Sequence, residues 1–242
     1  MTGPWYVEAF RSAYLGVYPH RDLEAARREA KFLVDQGARG RLLDVCCGFG
    51  RHCAALRDHG IRAYGLDLSL ELLGRAGSLA PVLEGRLACG DARRLPFADA
   101  CADTVVSLFS SFGYFGEEGD RRVLLEVGRV LRPGGLFVLD LMNPAQVRST
   151  LVPLSRIERE GIGIEERRKL ADGGRRVQKE VRLRARDGTQ SAWTEDVRLY
   201  EAVELEPWLL GAGLALNAAY GGFDGSTLAP DSPRQILRAR RR

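Results

Sequence analysis

The feature that most constrains this chain is segment 42–52, which reads LLDVCCGFGRH. An apolar run ends there in a turn with glycine at positions 48 and 50, and a helical pattern follows over 51–59. Because Gly48 and Gly50 have no Cβ atom, the turn can adopt backbone angles closed to other residues and can let a ligand approach the main chain. The N–H groups at the start of the following helix favour negative charge. The segment therefore predicts a strand, a ligand-binding turn and a helix, with a ligand carboxylate or phosphate at the helix start.

Two later apolar runs also end in a carboxylate. The run 63–66 is followed by Asp67, and the run 86–90 is followed by Asp91. A carboxylate at the end of the second strand can accept hydrogen bonds from both ribose hydroxyls, as in dinucleotide-binding folds. Each acid taken singly also suits a helix N-cap. Three such strand ends in succession favour a ligand that contains a nucleoside.

Strand and helix patterns alternate up to about residue 150. An amphipathic helix is predicted over 22–36, and strands are predicted, with helices between them, near 41–46, 62–67, 86–90, 102–109 and 135–141. Such alternation indicates a parallel sheet that is covered by helices on both faces. The carboxyl ends of its first and fourth strands are where a ligand crevice is expected.

The pattern changes after Pro153. Three segments rich in alternating charge follow, near 155–168, 175–186 and 190–200. The sequences Asp-Gly-Gly and Asp-Gly-Thr, which begin at Asp172 and Asp187, separate these segments and are hairpin signals. A small antiparallel sheet is therefore predicted here.

Composition limits the classes of partner. With 45% hydrophobic residues, 242 residues can bury a substantial core. No apolar run approaches the roughly 20 residues that span a bilayer, and no signal-peptide pattern opens the chain, so we expect a cytoplasmic protein with no membrane partner. Of the 36 basic residues three are lysines, and the dense basic run over 238–242 is interpreted as a solvated tail rather than a nucleic-acid site. The five cysteines form no Cys-x-x-Cys pair, so neither a disulfide framework nor a metal site is expected.

With these motifs the chain resembles the class I S-adenosylmethionine-dependent methyltransferases of the small-molecule type. The matching segments begin at Leu43, Gly65, Gly90, Phe109 and Leu131 and read LDVCCGFGRH, GLDLS, GDARRLPF, FSSFGYF and LRPGG. They cover about residues 40–142. The competing interpretation is a nicotinamide dehydrogenase, whose fingerprint has a third glycine at the position that Cys53 occupies here.

The resemblance implies an α/β fold: a doubly wound, mostly parallel seven-stranded sheet with helices on both faces and a small antiparallel β insert. It also implies one methyltransferase domain over 1–242. Residues 1–36 would form a helical lid, 40–150 and 201–242 the cofactor-binding core, and 153–200 a cap over the substrate. Within that core, a helix near 203–213 would precede an antiparallel pair, 214–220 and 234–240.

The same resemblance implies S-adenosyl-L-methionine as the methyl donor, S-adenosyl-L-homocysteine as the product, and no metal. The glycine turn would hold the methionine portion, Asp67 the ribose, and Asp91 with Ala92 the adenine. The residues expected to bind the cofactor are Tyr14, Asp44, Cys46, Gly48, Gly50, Arg51, His52, Asp67, Leu68, Asp91, Ala92 and Phe109. Tyr114 and Tyr14 are the predicted catalytic residues, and the predicted substrate contacts are Ser111, Tyr18, Arg198 and Tyr200.

The expected acceptor is a small molecule, methylated on nitrogen in preference to oxygen. Positioning and water exclusion can carry most of the rate of such a transfer. A general base is needed only if the acceptor arrives protonated, and His52, His20 and Tyr114 are the candidates. The aromatic residues of the N-terminal stretch, Trp5, Tyr6, Phe10, Tyr14 and Tyr18, suit either a lid or simple docking on the core.

Two alternative functions stay open at this point. One is a methyltransferase that acts on RNA or protein, and the other is a noncatalytic module that binds S-adenosylmethionine. Salt-sensitive affinity for RNA would favour the first, and tight cofactor binding without turnover would favour the second. The sequence also leaves the oligomeric state open, and a homodimer is among the states it allows.

Overall fold

Eleven strands and seven helices make up the part of the chain that the computed structural model describes, which is residues 3–10, 17–18, 22–79, 81–159 and 161–242. The strands are β1 (Arg41–Val45), β2 (Arg62–Asp67), β3 (Leu87–Cys89), β4 (Ala102–Ser107), β5 (Leu131–Met142), β6 (Leu154–Arg159), β7 (Ile162–Ala171), β8 (Arg176–Arg184), β9 (Gln190–Arg198), β10 (Leu214–Tyr220) and β11 (Arg234–Arg241). The helices are α1 (Trp5–Ala9), α2 (Leu23–Asp35), α3 (Arg51–Arg57), α4 (Leu70–Leu79), α5 (Gly116–Val130), α6 (Pro144–Thr150) and α7 (Ala202–Gly211).

The central sheet has seven strands in the order β10-β11-β5-β4-β1-β2-β3. Strands β1 to β5 pair in parallel, whereas β11 runs antiparallel to both β5 and β10. This arrangement confirms the predicted fold class, including the antiparallel pair at one end. The sheet is doubly wound, because the chain crosses from β3 on one edge back to β4 beside β1. The carboxyl ends of β1 and β4 therefore meet where the winding direction reverses.

Both faces of the sheet are covered, as the continuous apolar strands require. One buried cluster lies beneath α5 and α7 and contains Leu124, Phe137 and Leu205. The other lies beneath α2 and α3. Helix α2 begins at Leu23 because the Asp22 side chain accepts a hydrogen bond from the Ala25 N–H at 2.8 Å. None of the helices in the described ranges is long and apolar enough to cross a membrane.

The insert is a four-stranded antiparallel sheet in the order β6-β7-β8-β9. The two predicted Asp-Gly turns do connect β7 to β8 and β8 to β9. The single predicted segment 155–168 was wrong, because it is a hairpin of β6 and β7. The chain reverses there through Gly161, whose φ of +75° is a left-handed angle that favours glycine.

The insert contacts α1 and the turn after β4, among other segments. Its apolar face, formed by Ile164, Val181 and Trp193, packs against Ala9 of α1. At the end of β9, the Arg198 N–H donates to the Gly113 carbonyl at 2.9 Å, and Gly113 belongs to the turn that follows β4. The insert therefore supports both α1 and the turn that ends β4.

We expect Gly113→Ala to destabilise the protein more than the matched control Gly134→Ala. Both glycines have positive φ, +90° and +74°, but a Cβ on Gly113 would lie 2.5 Å from the Arg198 carbonyl oxygen, whereas nothing lies within 4 Å of one on Gly134. The control should lower the free energy of unfolding by about 1 kcal/mol, and Gly113→Ala by about 3 kcal/mol. Urea unfolding measures both, and equal losses would contradict the close approach.

Candidate functional site

A cavity of about 460 Å³ opens at the carboxyl ends of β1, β2 and β4. Side chains from four parts of the chain line it: the N-terminal segment, the turn after β1, the start of α4 and the turn after β4. The predicted site residues among them are Asp44, Cys46, Gly48, Arg51, His52, Asp67, Leu68, Phe109, Ser111 and Tyr114. The structure thus brings most of the predicted site together at the expected switch point of the sheet.

The turn after β1 presents its backbone to this cavity. Cys46 and Gly48 have φ values of 65° and 59°, and the N–H groups of Cys46 and Cys47 donate to the Leu66 carbonyl at 2.8 and 3.0 Å. Gly50, with a φ of 80°, precedes α3, and a Cβ there would lie 2.7 Å from Leu83 Cδ1. Glycine at position 50 is therefore required by both its angle and its packing, although this residue does not itself line the cavity.

Asp67 closes one side of the glycine turn. Its Oδ2 atom accepts from the Gly48 N–H at 2.7 Å and its Oδ1 atom accepts from the Ser69 N–H at 2.8 Å. Burial raises the pKa of Asp67, and these backbone N–H groups oppose the rise. Since a carboxylate oxygen has two lone pairs, each oxygen keeps one for a ligand hydroxyl. This geometry suits the predicted ribose contact.

Arg51 is buried beside the turn with one nitrogen unsatisfied. Its Nη1 atom donates to Glu29 Oε2 at 2.9 Å, whereas Nη2 is buried and has no hydrogen-bond partner among the described residues. The guanidinium also lies over the Phe109 ring, with Cζ 4.3 Å from the ring centroid. A buried guanidinium N–H is costly when left unpaired. The position therefore fits a ligand carboxylate.

Glu29 is a functional residue that the sequence interpretation missed. Its Oε2 atom also accepts from His52 Nε2, at 2.6 Å, so one carboxylate oxygen holds two cavity side chains. Although burial alone would raise the pKa of Glu29, the hydrogen bonds and charges of His52 and Arg51 hold it below its ordinary value. The position of Glu29 could have indicated its burial, since it falls on the same apolar helical face as Ala26, Ala30 and Leu33.

Asp44 is a nearly neutral carboxyl group at the base of the cavity. It is 1% exposed, and burial raises its pKa from 3.8 to about 8, with the Arg51 charge opposing and the Asp67 charge adding to this rise. Its Oδ2 atom lies 3.9 Å from His52 Nδ1. A cation that enters the cavity would therefore favour loss of the Asp44 proton.

Aromatic side chains form the opposite wall. Tyr114 and Phe10 are stacked with ring centroids 5.7 Å apart, and Tyr6 packs edge-on against Phe115 at 4.9 Å. Phe10 is tied to the segment that follows β2, because the Ser69 hydroxyl donates to the Phe10 carbonyl at 2.5 Å. The N-terminal aromatic residues Tyr6 and Phe10 thus reach the cavity, as a lid would.

Asp91 and Ala92 do not line the cavity. Asp91 Oδ2 pairs with Arg93 Nη2 at 2.6 Å, a contact that lowers the Asp91 pKa, and Ala92 packs in the core. Tyr14 and His20 lie outside the described residues. Their predicted roles, and the adenine contact, stay predictions.

Arg198, Tyr200 and Tyr18, which are predicted substrate contacts, are not among the residues that line the cavity, and their polar groups bond to other parts of the chain. Their substrate roles stay predictions. The Arg198 guanidinium donates to Glu204 Oε1 and the Leu199 carbonyl, both at 2.8 Å. The Tyr200 hydroxyl donates to Asp120 Oδ2 at 2.9 Å inside the core. The Tyr18 hydroxyl donates to Glu195 Oε1 at 3.1 Å on the insert. These residues join the insert to its neighbours and do not line the cavity.

We expect Asp44→Asn to change how stability depends on pH. The folded protein retains the Asp44 proton up to about pH 8, whereas an unshifted carboxyl releases its proton near pH 3.8. The stability that this proton contributes is present in full below pH 3.8, and it is lost as the pH rises through about 8. The variant should therefore gain stability relative to wild type over this range, by at most about 1.4 kcal/mol per pH unit. Urea unfolding at several pH values measures this, with exposed Asp58→Asn as control; a constant difference would contradict the raised pKa.

Comparisons with known proteins agree with this geometry. Residues 42–135 match the family described as "Methyltransferase domain". Over 125 residues the chain is 34% identical to the biotin biosynthesis bifunctional protein BioHC of Cellvibrio japonicus, an alignment that covers 52% of this chain and 23% of that protein. The chain therefore spans only part of this curated relative.

Solved structures share the fold over nearly the whole chain. The CcbJ methyltransferase from Streptomyces caelestis has a TM-score of 0.82 and 19% identity, with 100% of this chain and 99% of that chain covered. The sugar N-methyltransferase KedS8 from Streptoalloteichus sp. has a TM-score of 0.70 and 22% identity, with 95% and 92% covered. The described chain therefore shares the fold of these solved methyltransferases, and its residues 42–135 match a methyltransferase domain, as its motifs led us to expect.

Proposed function

We propose that this protein transfers a methyl group from S-adenosyl-L-methionine to a nitrogen atom of a small molecule, and that it does so in the cytoplasm. The observation that carries the proposal is the pairing of two unused binding groups across one cavity. The Arg51 Nη2 atom is buried without a partner in the described part of the chain, and the Asp67 carboxylate keeps acceptor capacity beside the glycine turn. The two groups match the carboxylate and the ribose of this cofactor.

The residues present fit the methionine portion in charge as well. Arg51 would hold its carboxylate, and Asp44 would face its ammonium group, since a nearby cation favours the ionised form of a buried acid. Gly48 leaves the backbone free of a side chain where the ligand lies against it. When bound, the cofactor supplies a methyl group that is already activated on a positively charged sulfur.

The chain's own contribution is then positioning and exclusion of water. Tyr6, Phe10, Phe109 and Tyr114 line the cavity with aromatic surface. Such a wall removes water and can hold an acceptor in line with the methyl group, an effect worth several orders of magnitude in rate. Tyr114 orients the acceptor in this proposal, and Tyr14 keeps its predicted place near the reacting atoms.

His52 does not act as the general base in this proposal. Its Nε2 atom is held by Glu29 at 2.6 Å, and its Nδ1 atom faces Asp44 at 3.9 Å. Both ring nitrogens therefore point toward carboxylates. With Tyr114 assigned to orienting the acceptor, the proposal uses an acceptor that arrives as a free base, such as an amine whose neutral form is present at neutral pH.

A nitrogen acceptor is supported by the aromatic wall. Aromatic faces attract cations, including ammonium groups, by about 0.5–2 kcal/mol each, so the methylated, charged product and the sulfonium both suit this surface. KedS8, which shares the fold, is a sugar N-methyltransferase. We propose accordingly that residues 1–36 act as a lid and that the insert, 153–200, supports this lid from behind within one domain.

Titration calorimetry with S-adenosylhomocysteine tests the cofactor site. Wild type should bind at micromolar concentration, and Asp67→Ala should weaken binding by about tenfold to hundredfold, because up to two hydrogen bonds to ribose are lost. Asp99→Ala is the control for loss of a carboxylate, since Asp99 pairs with Arg129 away from the cavity and has no predicted role in binding. Absence of wild-type binding would overturn the proposal, and equal effects of the two substitutions would overturn the role of Asp67.

Arg51→Lys separates the carboxylate contact from the nucleoside contacts. Lysine keeps the charge opposite Glu29 but lacks the planar fork of guanidinium, so affinity for S-adenosylhomocysteine should fall about tenfold. Affinity for 5′-methylthioadenosine, which has no carboxylate, should be unchanged. Asp67→Ala should weaken both ligands. A parallel loss of both ligands in Arg51→Lys would contradict the carboxylate assignment.

A further inference from the structure

The turn after β4 has a backbone that side-chain-bearing residues rarely adopt. Phe109 and Ser110 are consecutive and have φ values of 57° and 58°. Two adjacent left-handed residues other than glycine persist only where the surrounding structure holds them. Phe109 lines the cavity, so whatever holds this turn also holds the cavity wall.

Asp140 and Arg234 hold it from two other strands. Asp140 is fully buried on β5; its Oδ2 atom accepts from the Phe109 N–H at 2.7 Å, and its backbone carbonyl accepts from the Ser110 N–H at 3.0 Å. Its Oδ1 atom accepts from Arg234 Nε at 2.7 Å. Arg234, the first residue of β11, also donates from Nη2 to the Ser110 hydroxyl at 2.9 Å. Three of these hydrogen bonds hold the turn directly, and the fourth joins Asp140 to Arg234.

The turn after β4 also holds Arg51 in place. The Phe109 ring lies near both arginines, with its centroid 4.3 Å from Arg51 Cζ and 5.5 Å from Arg234 Cζ. Phe223 stacks against the same ring at 6.4 Å. A displaced Phe109 would therefore remove the surface against which the Arg51 guanidinium rests. Neither Asp140 nor Arg234 lines the cavity itself.

We propose that Asp140 and Arg234 are a positioning pair that keeps Phe109 and Ser110 left-handed and thereby sets the place of Arg51 for the ligand carboxylate. This inference rests on the proposed function. The pair acts through Phe109 and has no contact with the ligand. It links ligand affinity to β5 and β11, strands outside the glycine-turn motif.

Asp140→Asn is the first test, with S-adenosylhomocysteine affinity as the readout. The amide offers one oxygen where the carboxylate offered two, so it cannot accept from both the Phe109 N–H and Arg234 Nε. Affinity should fall about tenfold, as for loss of one charge-assisted hydrogen bond. The double variant Asp140→Asn with Ser110→Gly should recover most of it, because glycine takes a left-handed angle without strain. A merely structural role would not give this recovery of binding.

Arg129→Gln is the matched control for loss of an ion pair. Arg129 lies away from the cavity and forms ion pairs with Glu126 and Asp99, each with an N–O distance of 2.7 Å. This variant should therefore unfold at a lower temperature than wild type and bind S-adenosylhomocysteine equally well. If Asp140→Asn does not fold, Arg234→Lys supplies the same measurement, since the Arg234 side chain is 22% exposed. It should lose affinity and regain it with Ser110→Gly.

Either of two results would overturn the inference. One is a folded Asp140→Asn or Arg234→Lys protein with wild-type affinity, and the other is a loss of affinity that Ser110→Gly leaves in place. Wild-type protein that binds no S-adenosylhomocysteine is a different outcome, because it would overturn the proposed function and this inference with it.

Discussion

The buried ion pair between Glu29 and Arg51 is the contact on which the cavity depends. Their side chains are 10% and 5% exposed, and the removal of either partner would leave an uncompensated charge in the protein interior. Glu29 lies on α2 and Arg51 opens α3, so the pair joins the helix before β1 to the turn after it. Through Phe109 the same guanidinium reaches the turn after β4. One buried cation thus connects three separate segments around the ligand position.

The two walls of the cavity differ in how their geometry arises. The glycine-turn wall is local: Cys46, Gly48 and Asp67 lie at the ends of two adjacent strands, and backbone hydrogen bonds fix them. The aromatic wall is assembled from distant segments, because Tyr6 and Phe10 reach Phe115 and Tyr114 across the molecule. A wall fixed by local backbone contacts thus faces a wall whose shape depends on long-range packing.

The same difference decides what the sequence could predict. The apolar runs that end in glycine or aspartate predicted β1 and β2 within a residue, together with the cavity residues that follow them. The bonds of Arg198 to Glu204 and of Tyr200 to Asp120 could not be predicted from the sequence, because they depend on how α7 and α5 pack. Glu29 was missed since a single acid on an apolar helix face gives no local sign of its partners. The hairpin at Gly161 lacks the Asp-Gly signal that marked the other turns.

The insert has a consequence for how such proteins diverge. Among the described residues, none from β6 to β9 lines the cavity, and the insert reaches it through the N-terminal segment, where Ala9 and Phe10 pack on it, and through the Gly113 carbonyl. Its sequence can therefore vary as long as it supports these two places. Changes there would shift the aromatic wall by small steps while Asp67, Gly48 and Arg51 stay intact. Under the proposed function, acceptor preference could therefore change in this architecture without passing through a form that has lost its cofactor.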